Sequence, residues 1–141
     1  MIIAVDFDGT IVTHEYPKIG REIPFAIDTL KRLQQSPDYQ LILWTVREGV
    51  ELQEAIDYCR NKGLEFYAVN SNYPEEDAEH KEPRKLKADL FLDDRNLGGL
   101  PDWGIIYRMI VSGKYLDPVS YEIQSEFQPM KKGLFQTLFG K

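Results

Sequence analysis

An α/β fold built on a central parallel sheet is what this chain of 141 residues predicts. Short, wholly apolar runs read as strands buried on both faces. Stretches with helical apolar spacing separate those runs, which is the alternation of a parallel sheet with crossover helices. Three of the runs end directly in polar, chemistry-bearing residues: Asp6 to Thr10, Thr45 to Arg47, and Asp93 to Asn96. Right-handed crossovers carry the carboxyl ends of such strands to one edge, where open α/β sheets bind ligands.

The first strand is the apolar run up to Val5. Residues 11–23 follow as a polar connection with His14, Pro17 and Gly20. Pro24 suits a first helical position, and Phe25, Ile27, Leu30 and Leu33 give that helix an apolar face before Ser36-Pro37-Asp38 ends it. A strand from Gln40 to Trp44 comes next, then a helix from Gly49 or Val50 to Lys62 with Leu52, Ile56 and Cys59 on one side. Gly63 is placed to stop it. Phe66–Val69 reads as a third strand, residues 70–84 as a charged loop, and Asp89–Asp93 as a fourth strand. Residues 102–112 read as a short helix through Trp103, Ile106 and Ile110, although Gly104 weakens it and Ile105-Ile106-Tyr107 also reads as a strand. No internal repeat is visible. The expected division is a core over 1–113 and an extension over 114–141 that packs on the core or on a second subunit.

Composition narrows the function classes. A formal charge of −6 argues against a nucleic-acid backbone or an acidic membrane as partner. Hydrophobic content of 43% suits a globular domain. The single cysteine, Cys59, cannot form an internal disulfide and reads as a buried core thiol. No secretory leader and no membrane-spanning run is legible, so a cytoplasmic protein is expected.

The polar ends of the strands carry the chemistry. In Asp6-Phe7-Asp8-Gly9-Thr10 the two acids flank Phe7, so they project to one side while Phe7 points to the other. Asp-Gly alone is common in turns, and a threonine after a strand is ordinarily a turn or a helix cap. The order Asp-x-Asp, Thr45, a lysine at Lys85 or Lys87, and Asp93-Asp94 is the informative pattern. Four acids in one cleft repel by roughly 4 kcal/mol per pair 4 Å apart at an effective dielectric near 20, so they need a cation or protons. All the donors are oxygens, which suits Mg²⁺.

This pattern resembles the four motifs of the haloacid dehalogenase superfamily, over roughly residues 1–110. The resemblance implies a three-layer α/β/α Rossmann-like fold and a Mg²⁺-dependent phosphatase acting on a small phosphate ester; the alternatives are a phosphatase of a macromolecular substrate, or a binding or regulatory module that keeps the fold without turnover. It implies Asp6 as nucleophile and Asp8 as the acid and base, a residue that accompanies phosphatases and is lacking in the dehalogenases. It implies Mg²⁺ ligation by Asp6, the backbone carbonyl of Asp8, and Asp93, with Asp94 binding the ion or orienting its water. Thr45 and the Val46 amide would hold the phosphate, with Gly9 and Thr10 in the same substrate-facing loop. Arg47 is either a further phosphate contact or a surface ion pair. Lys85 is the preferred phosphate-stabilising lysine, with Lys87 and Lys81 as alternatives. The intervals 11–23 and 70–84 are too short for a cap domain, so a capless member with an open site is expected. His14, Tyr16, Arg21, Tyr73 and His80 are candidates for its rim, and a homo-oligomer is one way to complete it.

Overall fold

Ile2 to Val5 form β1, an all-apolar strand whose last three residues are buried. It lies at the centre of a four-stranded parallel sheet with β2 (Gln40–Leu43), β3 (Ala68–Val69) and β4 (Leu90–Leu92), in the order β3-β2-β1-β4. The computed structural model that shows this describes residues 1–76 and 84–115. Val5 pairs with Leu43 on one side and Leu92 on the other. The three strand ends that precede Asp6, Trp44 and Asp93 are therefore in register, and this fixes where the polar residues meet. Alternate side chains face opposite ways. Ala4, Ile42 and Ala68 form one buried cluster with Leu86, while Ile3, Val5, Leu41 and Leu43 are buried on the other face.

Helix α1 (Ala26–Gln34) packs against β2 and buries Ala26, Ile27, Leu30 and Leu33. It starts two residues after the expected Pro24. Phe25 adopts a left-handed conformation (φ 66°) ahead of the helix and is 70% exposed. It leaves the apolar face it was expected to join, because it precedes the helical periodicity. Helix α2 (Gly49–Asn61) buries Ala55 and Cys59, and its Tyr58 ring meets Phe7 edge-on with centroids 6.1 Å apart. The chain leaves α2 through Gly63 at φ 85°, a conformation favouring glycine. Cys59 is buried, as expected, and burial pushes its thiol up to about 12. β3 is shorter than the expected Phe66–Val69.

The connection 11–23 is more ordered than a polar loop. Ile11 and Val12 are fully buried. Val12 bridges to Glu22, and the Thr13 and Ile23 N–H groups donate to the carbonyls of Arg21 and Ile11. The result is a two-limbed strap whose tip, 14–20, follows directly from the Asp-rich turn.

The chain divides into two compact units, Met1–Trp103 and Gly104–Lys141. Helix α3 (Trp103–Val111) begins at that boundary, so the Ile105–Tyr107 segment is helical rather than a strand. Ile105, Ile106 and Ile110 are its buried residues in the second unit. The expected roles of Lys81, His80 and residues 116–141 lie outside the described residues.

Candidate metal centre

The turn after β1 is shaped by Gly9. Its φ of 86° is in the left-handed region, and a Cβ built there would stand 2.3 Å from Asp94 Oδ2. Only a residue without a side chain lets the turn and Asp94 approach this closely. Asp6, Asp93 and Asp94 each offer a carboxylate oxygen, all within 4.8 Å of one another. Two oxygens on opposite sides of a Mg²⁺ ion stand roughly 4.2 Å apart, at about 2.1 Å from the ion. The cluster is thus of a size that one cation can bridge.

Its electrostatics point the same way. Burial and the charge of Asp93 push Asp6 up to about 7. A neighbouring cation would relieve both causes, because it replaces lost solvation and cancels like charge. Thr10 organises the cluster from below. Its hydroxyl is 3.2 Å from Asp6 Oδ2 and 3.4 Å from Asp94 Oδ1, and it accepts the Asp94 N–H at 3.1 Å. Thr10 is fully buried, and its carbonyl accepts the Trp103 indole N–H at 3.1 Å. The loop that holds it was expected to face substrate; the Thr10 hydroxyl itself has no exposed surface and positions two acids.

Asp8 points elsewhere. Its two carboxylate oxygens accept from Arg47 Nε and Nη2, each at 2.7 Å. Its side chain is therefore no part of the acidic cluster; the ligand expected from Asp8 is its backbone carbonyl. Arg47 is neither of the two things expected of it. It is fully buried rather than a surface ion pair. Its remaining N–H groups donate to the carbonyls of Pro17 (3.0 Å), Lys18 (2.9 Å) and Glu51 (3.3 Å), so all five donors are taken and none is left for a phosphate. The bond to Asp8 is the main reason its guanidinium is held more firmly charged than usual. No local pattern distinguishes a buried arginine from an exposed one three residues beyond a strand, so sequence reasoning missed this.

Thr45 lies half-buried at the end of β2. Its N–H donates to Asn70 Oδ1 at 2.8 Å, and its Oγ1 accepts the Arg47 N–H at 3.2 Å. Among the described residues, the Thr45 hydroxyl donates no hydrogen bond. Val46 is 89% exposed. The lysines are less engaged. Lys85 Nζ rests 5.7 Å from the Phe91 ring centroid, and the Lys87 N–H donates to Asn72 Oδ1 at 2.7 Å. Of the rim candidates, Tyr16 lies over Arg47 with the guanidinium carbon 5.1 Å from its ring centroid, and His14 Nε2 is 3.3 Å from Arg95 Nη2. A surface depression of about 570 Å³, lined by Gln34, Tyr39, Arg60 and Tyr67, opens instead where β2 begins, at the other end of the strand from Thr45.

Fold and site define an α/β protein with a Rossmann-like parallel sheet and an acidic cluster suited to a metal at the strand ends. A solved structure of a conserved protein from Bacteroides thetaiotaomicron is 66% identical, aligns over 80% of this chain and 91% of its own, and superposes with a TM-score of 0.74. The chain belongs to the same family as that protein. No family model matches the chain, and no curated protein does. No helix among the described residues is long and apolar enough to cross a membrane.

Proposed function

We propose that this protein is a Mg²⁺-dependent phosphatase of the haloacid dehalogenase superfamily, acting on a small phosphate monoester. The observation that carries the reading is the meeting of Asp6, Asp93 and Asp94, from the ends of β1 and β4, with carboxylate oxygens within 4.8 Å. Asp6 would attack phosphorus and form an aspartyl-phosphate as the bond to the leaving oxygen breaks. Asp8 would give that oxygen its proton, then take one from the water that hydrolyses the intermediate. Thr45 and the Val46 amide would hold the transferring phosphoryl group, and Lys85 would swing from Phe91 toward it. Bound Mg²⁺, held by Asp6, Asp93, Asp94 and the Asp8 carbonyl, would neutralise charge on the phosphoryl oxygens.

The test is a panel of phosphorylated metabolites assayed with Mg²⁺, with chelator, and with Asp6→Asn. The expected result is turnover of at least one ester, abolished by chelator and reduced at least about 10³-fold by the substitution. Turnover by Asp6→Asn at the wild-type rate would remove the nucleophile from the scheme. One observation favours a second reading. Both oxygens of Asp8 are engaged by Arg47, which suits a metal-binding module without turnover. Calorimetric Mg²⁺ binding combined with inactivity on every ester of the panel would select that alternative.

A further inference from the structure

Resting on the phosphatase reading, we infer that Arg47 is a positioning residue that aligns Asp8 with the leaving oxygen. The guanidinium is the meeting point of three segments. It grips Asp8 in the turn after β1 through two bonds of 2.7 Å. It ties down the tip of the strap through the carbonyls of Pro17 and Lys18. It also reaches the first turn of α2 through the Glu51 carbonyl. The rings of Tyr16 and Phe7 also lie against it, each centroid 5.1 Å from the guanidinium carbon.

This arrangement answers a problem that the turn creates. Asp8 follows Asp6 by two residues, yet its carboxyl must work on the leaving oxygen and not join the cation. A carboxyl on a glycine-containing turn, unrestrained, would swing into the acidic cluster whenever a metal is bound there. The planar, two-pronged grip of arginine fixes both the position and the plane of the carboxyl, which a single ammonium does not. The strap sits in the same grip, so its tip and the acid are set by one side chain. The chemical step remains that of the proposed mechanism. The bond from phosphorus to the leaving oxygen breaks as the one from Asp6 forms, and the proton that the phosphate monoanion brings is relayed through the Asp8 carboxylate to the leaving oxygen.

Misplacing a general acid harms poor leaving groups and spares good ones, because p-nitrophenolate departs without a proton. The experiment therefore compares Arg47→Lys with wild type on two esters, the best alkyl phosphate of the panel and p-nitrophenyl phosphate. Calorimetric Mg²⁺ binding is measured on both proteins. The expected result is a fall in kcat of about 100-fold on the alkyl ester, a change within about 5-fold on the aryl ester, and unchanged Mg²⁺ affinity. Should the lysine variant fail to fold, Tyr16→Leu removes the half-exposed ring that lies against Arg47 and is expected to show the same selectivity at smaller size. Equal losses on the two esters would reduce Arg47 to a structural ion pair and overturn the inference while leaving the phosphatase intact. No turnover of either ester by wild type would overturn the phosphatase reading, and this role with it.

Discussion

Asp6 and Asp8 stand two residues apart and live in opposite electrostatic worlds. Asp8 is 7% exposed, and both its oxygens are matched by a buried guanidinium. Asp6 faces two further carboxylates, and only the Thr10 hydroxyl and a backbone hydrogen bond favour its charged form. The protein supplies the counter-charge of one acid from its own chain. For the other it assembles more negative charge, which an outside cation can neutralise. An acid paired within the chain and an acid left for a cation are told apart by that difference.

The sharpest way to break the comparison is to remove each acid in turn. Asp8→Ala leaves Arg47 charged, buried and short of two acceptors, and should destabilise the fold by about 3–5 kcal/mol. Denaturant unfolding of the metal-free protein measures it, and a loss under 1 kcal/mol would contradict the buried pair. Gly9→Ala is expected to cost on the order of 1–3 kcal/mol through its strained φ, and to weaken Mg²⁺ binding because the new methyl displaces Asp94. Isothermal titration reads the second effect, and unaltered affinity would separate Asp94 from the cation. Asp93→Asn has the opposite sign. It removes the charge that acts most on Asp6, so the metal-free protein should gain stability on the order of 1 kcal/mol while Mg²⁺ binding falls.

The smallest expected effect is one of pH. Asp6 sits at about 7 in the fold against an ordinary 3.8. Between those values the folded state binds more protons than the unfolded one, so stability of the metal-free protein falls as pH rises through that window. Added Mg²⁺ should reverse the trend near pH 7.5, by binding the folded state alone. Thermal melts from pH 4 to 8 with and without the ion check it, and a melting temperature that climbs steadily without metal would contradict the raised Asp6.

The strands were legible because burial on both faces demands unbroken apolar runs, as in Ile2–Val5 and Leu90–Leu92. Asp6, Asp93 and Asp94 were legible for a related reason: a parallel sheet must bring its carboxyl ends together. Ile11-Val12 was a visible apolar pair that announced the buried strap, yet the polar residues around it masked the signal.

The amino-acid order by itself determined the parallel sheet, the edge where the acids gather, and the oxygen-only chemistry of that edge. Only the tertiary structure decided that Thr10 organises the cluster, and that Arg47 turns inward to hold Asp8 instead of outward to a ligand. The reason is physical. Strand and helix patterns arise from contacts among near neighbours, whereas the partner of a buried charge comes from across the fold. Arg47 meets Asp8 across 39 positions of chain, a pairing that no local periodicity encodes.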